Sequence, residues 1–133
     1  MDYAKSMAWT IDARKLSPRK LSELGAMQPR LLRLAEILGT RPLAGLLGMD
    51  PGNLTQMVAG KRNVPEEIAK RALDLDHVLA RALQVFGDAQ VVVDWLEGTE
   101  PTFGFGKPIV MLSKHGAGPL LDVLDAIDAG AYT

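Results

Sequence analysis

An all-α fold is predicted by three features of the sequence. Apolar residues recur at intervals of three and four along most of its length, the spacing of one face of a helix. The periodic segments stop at glycine and restart at proline or at a residue able to cap a helix. Residues 40 to 62 carry the spacing of a helix-turn-helix. The expected architecture is an N-terminal helix-turn-helix bundle followed by a small helical domain.

Residues 1 to 28 form an arm without sustained period, in which Ser17-Pro18 offers a start for a short helix to about Leu24. The stretch PRLLRLAEILG follows, with Leu31, Leu34, Ala35 and Leu38 on one face and Gly39 as its stop. In TRPLAGLLG, Thr40 can cap, Pro42 sits early, and Leu43, Leu46 and Leu47 point one way before Gly48. Asp50 is a good N-cap, Pro51 suits the first helical position, and GNLTQMVAG reads as a third short helix closed by Gly60.

Pro65 opens the longest periodic segment, in which Ile68, Ala72, Leu75, Leu79, Ala82 and Phe86 form a stripe that fits either a core or a dimer seam. Glu66 and Glu67 lie in its first turn, where acids suit the positive end of the helix dipole, and Gly87-Asp88 breaks it. AQVVVDWLEG is expected to be helical, although its valines would also suit a strand. Residues 98 to 107 read as a glycine-rich loop with two phenylalanines, and Pro108 starts a short helix. After a break at His115 to Pro119, the last helix places Leu120, Leu121, Leu124 and Ile127 opposite Asp122, Asp125 and Asp128, and Gly130 ends it.

Length and composition bound the function. The 133 residues suffice for one compact domain or two small ones. Hydrophobic residues are 47% of the chain, yet none of its apolar runs approaches the roughly 18 residues of a bilayer span, so no membrane partner is expected. The opening MDYAKSMAWTIDARK has acids and a Trp where a secretory leader has a basic cluster and an apolar stretch, and the expected location is cytoplasmic. With no cysteine and two distant histidines, His77 and His115, neither a disulfide framework nor a metal site is expected. The net charge of -1 conceals a division: residues 1 to 71 hold 12 Lys+Arg against 7 Asp+Glu, and residues 72 to 133 hold 3 against 9. A basic half suits a polyanion such as DNA; an acidic half suits a basic protein partner.

The helix-turn-helix reading rests on four coincident positions. Ala44 is the small contact on the first helix and Gly48 lies at the turn; Leu54 and Met57 stand ten and thirteen residues after Ala44 to lock the second helix. Lys61-Arg62 follows, placed to reach phosphates beside the groove. The pattern resembles the phage-repressor and Xre-like family, and that resemblance implies that Gly52, Asn53, Thr55 and Gln56 face the major groove of operator DNA. The expected DNA-binding residues are Asn53, Thr55, Gln56, Lys61 and Arg62. Gln56 can pair with adenine in bidentate fashion, whereas Pro51 and Gly52 offer no side-chain hydrogen bond to a base edge, so sequence discrimination should be weak. The alternative is a helical pair kept only as a packing scaffold.

In the acidic half the order of landmarks is Phe86-Gly87-Asp88, Trp95-Leu96, Pro101, Gly104, Gly106, Lys107-Pro108 and Asp128-Ala129-Gly130-Ala131-Tyr132. From about residue 30 onward the chain resembles the Xre/MbcA/ParS-type antitoxins. Glu100 stands where an Asn commonly precedes the proline, and Phe105 separates glycines that are usually adjacent.

The resemblance implies an antitoxin of a type II toxin-antitoxin system. It would bind a RES-domain toxin, an enzyme acting on NAD, block its active site through residues 87–133, and autoregulate transcription through residues 29–86. An acidic, aromatic-tipped surface ending in the carboxylate of Thr133 is the expected plug for a site that binds phosphates with basic residues. The expected toxin contacts are Phe103, Phe105, Lys107, Asp128, Tyr132 and Thr133; Trp95, at helical spacing, is expected to pack inward. A homodimer is expected, since a short recognition helix gains affinity from a second half-site, as is a hetero-oligomer with the toxin.

No catalytic residues, cofactor or metal are expected. GFGKP lacks the upstream glycine and the following Ser or Thr of a phosphate loop. Asp94, Glu97 and Glu100, spaced by three, fit a solvated helix face. The competing functional reading is a stand-alone helix-turn-helix transcription regulator without a toxin.

Overall fold

The structure, a computed structural model, describes residues 27–130. The expected Ser17–Leu24 helix and the tail residues Tyr132 and Thr133 lie outside the described residues. Seven α-helices run through the described part: α1 (Met27–Leu38), α2 (Thr40–Leu47), α3 (Pro51–Val58), α4 (Glu66–Phe86), α5 (Ala89–Glu97), α6 (Pro108–His115) and α7 (Gly118–Asp128). Among the described residues the only bridged pair is Glu100 with Gly106, and no strand is built, so the all-helical expectation holds. No helix among them is long and apolar enough to cross a membrane.

The chain divides into two compact units between Lys70 and Arg71, inside α4. Counted over these units, the first holds 11 Lys+Arg against 7 Asp+Glu and the second 4 against 9, so each carries its own sign of charge.

In the first unit α1, α2 and α3 pack on one another. Their inward faces supply Leu31, Leu34, Leu43, Ala44, Leu47 and Leu54, each fully excluded from solvent. α2 ends in a Schellman closure: Met49 N–H donates to Ala44 C=O at 2.9 Å and Gly48 N–H to Gly45 C=O at 3.1 Å. Gly48 has φ 70°, a left-handed conformation that a side chain would strain, so the chain reverses here within Gly48-Met49-Asp50. Asp50 then caps α3 as expected, its carboxylate accepting from Asn53 N–H at 3.1 Å, with Pro51 at the first position. Thr40 is not the cap of α2. It is the first helical residue, and Gly39 occupies the cap position without a side-chain bond. Pro42 tolerates that start because its missing N–H falls in the first turn, where no intrahelical partner exists.

In the second unit α5 packs on α6 and α6 on α7. The α4 stripe belongs to the chain's own core: Ala72, Leu75, Val78, Leu79 and Ala82 are buried, while Ile68 and Phe86 at its two ends are only half-buried. The middle of the stripe therefore serves the chain's own core rather than a dimer seam, since Ala72, Leu75, Leu79 and Ala82 have no area left to bury against a copy. AQVVVDWLE is a helix, capped by Asp88, whose Oδ1 accepts from the N–H groups of Gln90 and Val91 at 2.7 and 3.3 Å. On α7 the inward residues are Leu120, Val123 and Leu124, with Leu121 and Ile127 at the margin. The expected break at residues 115 to 119 shortens to Gly116 and Ala117, because Pro119 is accommodated in the first turn of α7.

Candidate functional site

On α3 the periodicity separates packing from presentation. Leu54 and Met57 are buried against α1 and α2, leaving Gly52, Thr55 and Gln56 exposed and Asn53 partly so. This is the geometry the four spaced positions demand: Ala44 is wholly buried where α2 meets α3, and the turn glycine is left-handed. Past the helix, Lys61 N–H donates to Gln56 C=O at 2.8 Å, so the backbone of Lys61 is tied to the end of α3 while its side chain is exposed.

Three of the expected DNA-binding side chains already have local partners. Arg62 Nη1 donates to Asn53 Oδ1, joining two of them to each other. Thr55 Oγ1 donates to Pro51 C=O at 3.0 Å, which commits its hydroxyl hydrogen and leaves the oxygen able to accept. Arg62 has five N–H donors in all, so binding Asn53 leaves others for a phosphate. Gln56, Lys61 and Arg62 thus share one exposed end of α3, with Asn53 oriented by Arg62.

In the second unit the segment from Glu100 to Gly106 is a locked turn rather than a plain loop. Pro101–Phe103 is a 3-10 turn capped by Glu100. Glu100 N–H donates to Gly106 C=O, and the Glu100 carbonyl accepts from the N–H groups of Phe103 and Phe105, all at 3.0 Å. Gly106 N–H returns to Phe103 C=O at 3.0 Å, and the two residues between them, Gly104 and Phe105, have φ 62° and 64°. Positive φ at both central residues is the mark of a type I′ turn, whose second centre strongly favours glycine.

Phe105 stands at that second centre with 67% of its surface exposed. A left-handed conformation costs an L-residue with a Cβ about 1–2 kcal/mol. At Gly106 a Cβ would lie 3.1 Å from the Phe103 carbonyl oxygen, a tight contact that would require the turn to give by a few tenths of an ångström.

Glu100 corrects the solvated-face reading. Asp94 and Glu97 are exposed on α5, but Glu100 lies beyond its end and is 5% exposed. Its Oε2 accepts from Thr102 N–H at 2.8 Å and its Oε1 lies 3.5 Å from Trp95 Nε1. Trp95 is half-buried, its ring 5.7 Å from that of Phe86, so the indole is a packing element with its N–H turned to the carboxylate.

Of the other expected partner contacts, Phe103 is half-buried and Lys107 is exposed at the N-cap of α6. Asp128 is exposed but engaged within the chain: Arg81 on α4 donates from Nε to Asp125 at 2.9 Å and from Nη2 to Asp128 at 3.0 Å. The hydrogen bond to Asp125, then that to Asp128, holds the Arg81 pKa above its ordinary value. An acid in the last turn of a helix opposes the helix dipole, and the guanidinium offsets that while fixing where the chain leaves α7.

Sequence reasoning missed both Arg81 and Glu100 as positioning groups. The first pairs across more than forty residues, and glutamate is an uncommon cap, so neither had a local signal. Among the described residues no group of three or more His, Cys, Asp or Glu is placed to hold a metal.

Fold and sites together define a class: a helical protein in which a basic helix-turn-helix unit precedes an acidic helical unit bearing a rigid aromatic-tipped turn. No protein-family model matches the chain, and no curated protein matches it. Among solved structures, a chain in the crystal structure of the M. tuberculosis MbcT-MbcA toxin-antitoxin complex shares its fold. The TM-score is 0.63 at 18% identity, over 80% of this chain and 96% of that one.

Proposed function

We propose that this protein is the antitoxin of a toxin-antitoxin pair, binding and blocking a RES-domain NAD-consuming toxin through its second unit and operator DNA through its first. The observation that carries this reading is the fold shared, over most of both chains, with a component of a toxin-antitoxin complex. The ordered landmarks from Phe86 to Tyr132 support the same reading. The charge of each unit supports it too: the basic one suits a phosphate backbone, and the acidic one suits a toxin whose site binds the phosphates of NAD.

On the toxin side, Phe103, Phe105 and Lys107 form one contact region and Asp128, Tyr132 and Thr133 the other, with Arg81 setting the base from which the tail departs. An adjacent reading frame encoding a RES-domain protein would favour this reading and its absence the stand-alone regulator; co-expression with that RES-domain protein tests it directly. The intact chain is expected to relieve growth arrest, and removal of residues 129–133 to abolish relief. An intact chain that leaves the arrest in place would sink the antitoxin reading in favour of a stand-alone regulator.

On the DNA side, Gln56 is the main base reader, Lys61 and Arg62 hold phosphates, and Asn53 and Thr55 support them. A homodimer, using surfaces other than the buried α4 stripe, would double the contact. Lys61→Ala combined with Arg62→Ala is expected to weaken operator binding. Its dependence of log K on log salt should become shallower by about 0.9 for each phosphate that is no longer neutralised. A salt titration with unchanged affinity and slope would remove both residues from the interface.

A further inference from the structure

We infer that Phe105 is the specificity anchor of the partner interface, its ring entering an apolar pocket on the toxin while the Glu100–Gly106 turn holds it out for that purpose. The assignment rests on the antitoxin reading and adds to it the residue that selects the partner.

Phe105 is placed unfavourably in two respects. It adopts φ 64° at a turn position where glycine is unstrained, and it leaves two thirds of its surface in water. Other large apolar side chains are also exposed, among them Val91 and Val110, but each lies within a helix in ordinary conformation. Phe105 is the one non-glycine with positive φ among the described residues. Among the described residues nothing offsets its strain through burial, so a partner that covers the ring would supply the return.

The turn is also built to limit the cost of binding. Phe105 N–H is held by Glu100 C=O, Gly106 N–H by Phe103 C=O, and Glu100 itself is pinned through its carboxylate to Thr102 N–H. A side chain carried on a backbone already fixed by hydrogen bonds loses little freedom when it docks, and aromatic anchors of this kind dominate interface energetics. The exposed ring fits a pocket that is apolar inside, and the net acidic charge of the second unit as a whole suits basic groups on the partner's surface around it, with the exposed Lys107 two residues away calling for an acceptor at the rim.

Phe105→Gly in the full chain separates function from structure, because it relieves the strain and removes the ring in one step. The substitution is expected to leave the melting temperature unchanged or raised, and to weaken binding to the RES-domain protein used in the co-expression test about 30-fold, chiefly through faster dissociation. Phe105→Leu should recover part of the loss, since it restores apolar volume.

Equal toxin binding by wild type and Phe105→Gly would overturn the anchor while leaving the antitoxin reading intact. Failure of the wild-type chain itself to bind would remove both. A clear fall in melting temperature would show the ring to be structural and overturn the assignment. So would sedimentation of the chain alone showing that the ring joins two copies.

Discussion

Replacing Leu54 with alanine is expected to cost about 3 kcal/mol of folding stability, read as a lower denaturant midpoint with an unchanged slope. Leu54 is wholly excluded from solvent on the inner face of α3, where that helix meets α1 and α2. Losing its isopropyl group removes apolar burial and leaves a cavity among the buried leucines of the bundle. Its neighbour Gln56 is exposed, and Gln56→Ala should stay within about 0.5 kcal/mol of wild type. The pair separates two roles within one helix. Leu54→Ala should lower operator binding only by lowering the folded population, whereas Gln56→Ala should lower it in a fully folded protein. A loss below about 1 kcal/mol for Leu54→Ala would mean that α3 is not locked onto the bundle by this residue.

Glu100→Ala is the second change of large expected effect, at about 1–3 kcal/mol. It removes the acceptor of the Thr102 N–H and the acceptor nearest the Trp95 indole, and leaves a gap where an almost fully covered side chain had packed. The loss should be concentrated in the turn. Amide hydrogen exchange at Phe103 and Phe105, both bonded to the Glu100 carbonyl, should accelerate well before exchange in α7 changes. Unaltered exchange at those two amides would show that the backbone bridge to Gly106 suffices without the carboxylate.

These two residues differ in how far the sequence alone reveals them. Leu54 announces itself: it stands at a fixed offset from Ala44, and a 3.6-residue period leaves it nowhere to face but inward. The same holds for the turn at Gly48, the cap at Asp50 and the inward stripe of α4, all of which depend on neighbours a few residues away. Glu100 gives no such sign. Its spacing from Asp94 and Glu97 continues the polar face of α5, and only the end of that helix at Glu97 turns the next carboxylate inward to Trp95 and Thr102.

The candidate site divides along the same line. Helix positions, the division of charge and the set of side chains on the outer face of α3 follow from the sequence alone, because helical period and net charge are local or additive properties. Which of those side chains are already engaged was decided by tertiary structure. Arg62 bonds Asn53 nine residues away, and Arg81 gathers Asp125 and Asp128 from the far end of its unit. Phe105 belongs to both levels. The sequence placed a phenylalanine between two glycines, but its left-handed backbone and its exposure arise from the Glu100–Gly106 bridge, which neither helical period nor net charge encodes.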